Sequence, residues 1–255
     1  MQLSSETVAR NHSVEVAPGL TLHVSEWGAS EGWPVVILHG GAHNASHWAE
    51  VCSRLPPAWR CIVPDQRGHG ESSRAPDGDY SCAVQVGDLV ALLDALAIEY
   101  CALVGHSMGG LNALHFAGTW PERVTALVLV DVGTETRESG LAAIRRNRDR
   151  AAAAPPPDPS GPAPPFDVRL LDFVPTYGGD AEERRRLLMT SRAPLLVMRG
   201  QKSKINSVEG AARTAQIGKG RLATIPDAGH NVCLHNPEAV ADALRHFLVP
   251  IAQNG

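Results

Sequence analysis

The sequence is poor in cysteine and aromatic residues, has no long apolar run and carries no excess of positive charge. Its five cysteines (Cys52, Cys61, Cys82, Cys101, Cys233) are scattered, odd in number and never spaced as C-x-x-C. That pattern suggests neither a zinc site nor a redox motif. Cys61 and Cys101 lie in apolar runs and read as small core residues. A formal net charge of -4 gives no support for nucleic-acid binding, which normally shows a basic patch. No run reaches the roughly 18 apolar residues of a membrane-spanning helix. Met1 to Asn11 is polar and lacks the apolar core of a signal peptide. The expectation from these absences is a cytoplasmic protein with neither nucleic acid nor membrane as partner.

What is present fits one globular α/β domain. The 255 residues are 44% hydrophobic and 20% charged, enough to bury a full core. Val14–Val16 and Thr21–Trp27 flank Pro18-Gly19 and predict an opening β-hairpin. Continuous apolar runs at Trp33–Leu38, Arg60–Pro64, Cys101–Val104, Val124–Val130 and Ala193–Arg199 predict strands buried on both faces. Arg221–Ile225 completes eight strands. Helices are expected at His47–Leu55, Ser81–Leu96 with Ser81 as N-cap, Leu111–Gly118, Ser207–Ile217 and Pro237–Val249. Strands alternating with helices predict a mostly parallel eight-stranded sheet covered on both faces. Ligands of such sheets bind beyond the carboxyl ends of the strands.

The chemistry concentrates in Gly105-His106-Ser107-Met108-Gly109-Gly110, directly after an apolar strand and before a small-residue-rich helix. In that context G-x-S-x-G describes a nucleophile elbow. The turn strains its serine, so the positions two before and two after must be tiny, and Gly105 and Gly109 meet that need. A serine nucleophile needs a base. Of the 11 histidines, His230 stands out, because it follows the last strand next to Gly229 and precedes the final helix.

Taken together, the chain resembles the α/β-hydrolase superfamily. The matching stretches are His39-Gly40-Gly41, Asp65-Gln66-Arg67-Gly68-His69-Gly70-Glu71-Ser72, the elbow, Trp120-Pro121-Glu122-Arg123-Val124 and Gly229-His230. The resemblance runs from about Val14 to Val249, with only the cap segment outside it. It implies an α/β-hydrolase fold and an oxyanion hole formed by the backbone N–H groups of Gly41 and Met108. It implies no metal and no organic cofactor. Asp65 and His69 are expected to brace the loop after the fourth strand. Relatives mostly carry the triad acid as G-x-x-D after the seventh strand, but here that stretch is Gly200-Gln201-Lys202-Ser203-Lys204. Asp131, at the end of the sixth strand, is the best substitute. Glu209 is a second candidate, and a serine–histidine dyad without an acid is a third.

Residues 1–133 and 193–255 are expected to form the core, with 134–192 inserted as a cap. The basic run Arg145–Arg150 and the stretch Glu182–Arg186 read as solvated helix faces. Ala151–Phe166 holds seven of the nineteen prolines, a density incompatible with a helix or central strand. Part of it, around Pro155–Pro165, is expected to be disordered. Met108 and Trp48 are candidates for lining an acyl pocket, and equally for plain packing. The expected activity is that of a serine hydrolase acting on a carboxylic ester, with a small-molecule ester or lactone as partner. Lactonase, C–C bond hydrolase, cofactor-free perhydrolase and hydrolase-like ligand receptor are the alternatives.

Overall fold

The computed structural model describes residues 9–135, 142, 145–146, 149–150 and 165–253. Eight strands form one sheet: β1 (Arg10–Ala17), β2 (Leu20–Gly28), β3 (Trp33–Leu38), β4 (Trp59–Pro64), β5 (Cys101–His106), β6 (Val124–Val130), β7 (Leu195–Gly200) and β8 (Arg221–Ile225). Their order across the sheet is β1-β2-β4-β3-β5-β6-β7-β8. The opening hairpin is antiparallel, as Pro18-Gly19 predicts, and β2 also pairs antiparallel with β4. Every other neighbour is parallel. The expected fold class, an α/β-hydrolase fold with a mostly parallel eight-stranded sheet, is the one observed.

The continuous apolar runs are explained by two-sided burial. Along β6, Leu127 and Leu129 enter one core cluster while Val128 and Val130 enter the other. Val36 and Leu38 of β3 alternate with Val35 and Ile37 in the same way. Helices α2 (Cys82–Ala95), α3 (Met108–Thr119), α4 (Ala181–Thr190) and α5 (Val208–Ile217) supply the first cluster with Leu89, Leu114, Leu187 and Ala211. The second face is covered by α1 (Ala49–Cys52), α6 (Val232–His235) and α7 (Pro237–Ala252), through Val51, Val232 and Leu244. Ser81 caps α2 by accepting the Val84 N–H, and Asn236 caps α7 by accepting that of Ala239.

Two sequence expectations shift. The helix expected over His47–Leu55 is a 3₁₀ turn, Ala45–Trp48, followed by the single turn α1. Trp48 is fully buried in the second core cluster beside the sheet, so its indole packs the core. The segment 134–192 divides. Leu187 and Leu188 of α4 join the main core, whereas most of 136–164, including the Pro-rich stretch expected to be disordered, lies outside the described residues. All five cysteines are free and buried.

Candidate active site

The site grows from the carboxyl ends of β3, β5, β6 and β8. Ser107 follows β5 with φ 51° and ψ -115°, a conformation few non-glycine residues adopt. The packing that enforces it leaves no room at the flanking glycines. A Cβ on Gly105 would lie 2.3 Å from the Gly109 carbonyl oxygen, and one on Gly109 would lie 2.5 Å from that of His39. Strain of this kind costs about 1–3 kcal/mol and is held by the surrounding structure.

Three separate strand ends converge on one hydrogen-bonded chain. His230 Nε2 lies 3.0 Å from Ser107 Oγ, and His230 Nδ1 lies 2.7 Å from Asp131 Oδ2. Asp131 is fully buried, with φ 50°, and also accepts the Gly200 N–H on Oδ1 and the Ser203 hydroxyl on Oδ2. Ser107 and His230 stay partly exposed. Glu209, the other acid considered, is exposed in the first turn of α5. The structure therefore brings Ser107, His230 and Asp131 together and leaves Glu209 apart.

The loop after β3 lies against the elbow. A Cβ on Gly40 would be 3.3 Å from Ser107 Cβ, and one on Gly41 would be 3.8 Å from Met108 Sδ. Among the described residues, no hydrogen bond uses the backbone N–H of Gly41 or of Met108. The neighbouring Gly109 N–H is already given to the His39 carbonyl. The Met108 side chain packs with Ala75, Tyr80 and Leu170 and is flanked by Phe173 and Tyr177.

Neutral histidines fix this loop. His39 Nδ1 donates to the Gly40 carbonyl while Nε2 accepts the Gln66 N–H, so both ring nitrogens are committed. His69 Nδ1 donates to the Arg67 carbonyl and Nε2 accepts the Ala42 N–H. Burial holds His39 well below the usual imidazole range and lowers His69 as well. Asp65 accepts the N–H groups of Ala45 and Glu71. The bracing by Asp65 and His69 thus reaches the loop after β3 as well as their own. Sequence reasoning passed over His106, whose Nε2 donates to the His230 carbonyl at 2.8 Å. Its signal was a polar side chain closing a wholly buried strand. Burial pushes His106 far down, keeping it neutral. Ser203 was also missed. Among the described residues no group of three or more His, Cys, Asp or Glu side chains is arranged to hold a metal. No helix there is long and apolar enough to cross a membrane.

Residues 34–175 match the alpha/beta hydrolase fold family. A "Serine hydrolase-like protein" of Danio rerio is 41% identical over 106 residues, 41% of this chain and 32% of that protein. The chain thus spans about a third of the length of that curated relative. A "2-(acetamidomethylene)succinate hydrolase" of Mesorhizobium japonicum (strain LMG 29417 / CECT 9101 / MAFF 303099) is 26% identical over 259 residues, covering 90% of this chain and 92% of that one. Among solved structures, a thermophilic esterase from Thermogutta terrifontis is similar with a TM-score of 0.76 and 25% identity, over 96% of this chain and 100% of the other.

Proposed function

The chain belongs to the α/β-hydrolase family, and on that footing we propose that it is a serine hydrolase that cleaves a carboxylic ester through an acyl-enzyme. The observation that carries this reading is the continuous chain Ser107 Oγ, His230 Nε2, His230 Nδ1, Asp131 Oδ2, with separations of 3.0 and 2.7 Å. His230 takes the Ser107 proton as Oγ attacks the ester carbonyl. The tetrahedral oxyanion accepts from the Gly41 and Met108 N–H groups, each donor contributing about 3 kcal/mol of transition-state stabilisation. His230 then gives its proton to the leaving alcohol. Water, deprotonated by the same imidazole, releases the acid. Asp131 fixes the imidazole tautomer and stabilises its charged form. None of these steps requires a metal or organic cofactor.

The residues around Leu170 and Phe173, which pack with Met108, act in this reading as part of a cap over the site. Five free, buried thiols fit a reducing cytoplasm. A second reading keeps the same residues for hydrolysis of a C–C or other non-ester bond. It is favoured by the match along 90% of the chain to the 2-(acetamidomethylene)succinate hydrolase. Turnover of a p-nitrophenyl ester series from acetyl to dodecanoyl, measured beside Ser107→Ala, tests the first. Ester turnover abolished by Ser107→Ala is the expected outcome, and its chain-length optimum sizes the pocket. Absence of turnover across the series would hand the site to the second reading.

A further inference from the structure

We propose that Ser203 is a positioning residue of this site, one that holds and tempers the Asp131 carboxylate that orients His230. The inference rests on the reading of Ser107, His230 and Asp131 as a working triad. Ser203 lies three residues beyond Gly200, the last residue of β7, and is buried. Its hydroxyl meets Asp131 Oδ2 at 2.6 Å, the same oxygen that faces His230 Nδ1.

The direction of the hydroxyl follows from counting partners. Ser203 Oγ accepts the N–H groups of Ile205 and Asn206 at 3.2 and 3.3 Å, which occupies both lone pairs. Its single proton is left for the carboxylate. The loop that presents it is rigid, because the buried Arg199 guanidinium gathers the carbonyls of Gln201, Ser203 and Asn206. Asn206 Nδ2 ties the same loop to the Val132 carbonyl, one residue past Asp131.

A hydroxyl locked in this way does two things. With Gly200 N–H on Oδ1, it sets the rotation of the carboxylate so that Oδ2 faces the imidazole. It also draws off negative charge that would otherwise stabilise the protonated imidazole, so the base stays available at lower pH. The remaining titratable and charged groups nearby leave that role to Ser203. His106 and His43 are neutral rings, the former 4.9 Å from His230 and the latter held at about 4 by burial. His235 Nδ1 accepts the Gly229 N–H, Arg199 binds backbone carbonyls, and Lys202 pairs outward with Asp227.

The test compares the parent with Ser203→Ala, Ser203→Cys and Ser203→Thr. Cysteine keeps the shape with a much weaker donor and serves if alanine impairs folding. The expected result for alanine and cysteine is an acidic limb of the kcat/KM profile displaced upward by about half a pH unit. Plateau kcat falls about ten-fold with KM unchanged, the loss expected of a positioning contact. Threonine restores both. A limb and plateau unchanged in alanine and cysteine, or not restored by threonine, would overturn the proposal. The downfield proton resonance of His230 Nδ1–H reads the same contact without substrate. It should move further downfield in the alanine and cysteine variants and return in threonine, and an unmoved resonance would likewise overturn it. A parent inactive on every ester, yet showing the resonance shift, would refute the ester reading and support the hold by Ser203.

Discussion

The two flanks of Ser107 are held in place by different physics. Towards β6, β7 and β8 the organising group is a fully buried carboxylate, Asp131, ringed by donors from Gly200, Ser203 and His230. Towards β3 and β4 the backbone is held by two uncharged rings, His39 and His69, each donating with one nitrogen and accepting with the other, beside the buried Asp65 carboxylate, which accepts the N–H groups of Ala45 and Glu71. A buried negative charge is costly unless hydrogen-bonded, and it is tolerated where a positive charge will form beside it. On the other flank, where the proposed oxyanion would form, neutral rings brace the loop and the Asp65 carboxylate is turned to the N–H groups of Ala45 and Glu71. The difference lies in where the carboxylates are aimed: Asp131 faces the ring of His230, whereas Asp65 is committed to backbone N–H groups and to His23.

Asp131→Asn breaks the charged flank and carries the largest expected effect. The amide keeps the volume but loses the charge that stabilises the imidazolium and the acceptor that fixes its tautomer. A fall in kcat/KM of about 10³–10⁴-fold on a p-nitrophenyl ester is expected, with little change in the urea midpoint. Near-normal turnover would remove Asp131 from the chemistry. Adding Ser203→Asp to that variant sharpens the point. Ser203 Oγ lies 2.6 Å from the oxygen that faces His230, so a carboxylate at 203 would bring a negative charge back to one hydrogen bond behind that position. Recovery of ten-fold or more over Asp131→Asn is expected from a restored charge near the base, and no recovery would show that only the β6 end can present it.

The legibility of the two flanks in the sequence also differed. The sheet, the elbow and His230 are spelled out locally, by apolar runs and by the glycines that close them. Asp131 was reachable because it ends a strand next to the elbow strand, and order along the chain follows order in the sheet there. Ser203 was visible only as a missing acid. Its meaning depends on where the Asp131 side chain points, which a positive φ of 50° and packing from β7 decide. His39 and His106 hid inside motifs whose glycines and serine drew the reading. Trp48 shows the same limit, because a loop tryptophan reads alike whether it faces a ligand or the sheet.

Acid should next break the bracing by neutral rings on both sides of Ser107. Burial holds His39 and His106 well below the usual imidazole range, and places His43 at about 4. The unfolded chain takes up these protons as the pH falls through about 6.5 while the folded chain does not. Stability is therefore fully present above about 6.5 and is lost as pH falls, by about 1.4 kcal/mol per unit for each proton excluded. Protonation of His39 would set an N–H of Nε2 against that of Gln66, so the loop cannot adapt cheaply. Urea midpoints from pH 7 to 5 should fall in the parent and fall less in His106→Gln, which keeps a donor for the His230 carbonyl without titrating. A flat midpoint in the parent would contradict the neutral bracing.

The smallest effect concerns Asp167, in the segment beyond 164 that docks on the loop after β4. Asp167 donates its N–H to the Gly68 carbonyl, beside the Gly70 N–H given to Pro165, and Phe166 stacks on His69. Burial raises the Asp167 carboxyl, but hydrogen bonds from Arg169 and Tyr80 overcome that and bring it down to about 2. A depressed carboxylate stabilises the fold above its unfolded value of 3.8 and loses that contribution as pH falls through about 2. The shift corresponds to about 2 kcal/mol, reduced by screening because the Arg169 side chain is 45% exposed. Asp167→Asn should therefore cost about 1–2 kcal/mol in urea unfolding at pH 7 and only a small fraction of that at pH 2. Its kcat should stay within about three-fold of the parent, because Ala42 is held by His69 and not by Asp167. A larger loss of kcat would mean that the Asp167 anchor, and not the histidine bracing, sets the proposed oxyanion loop.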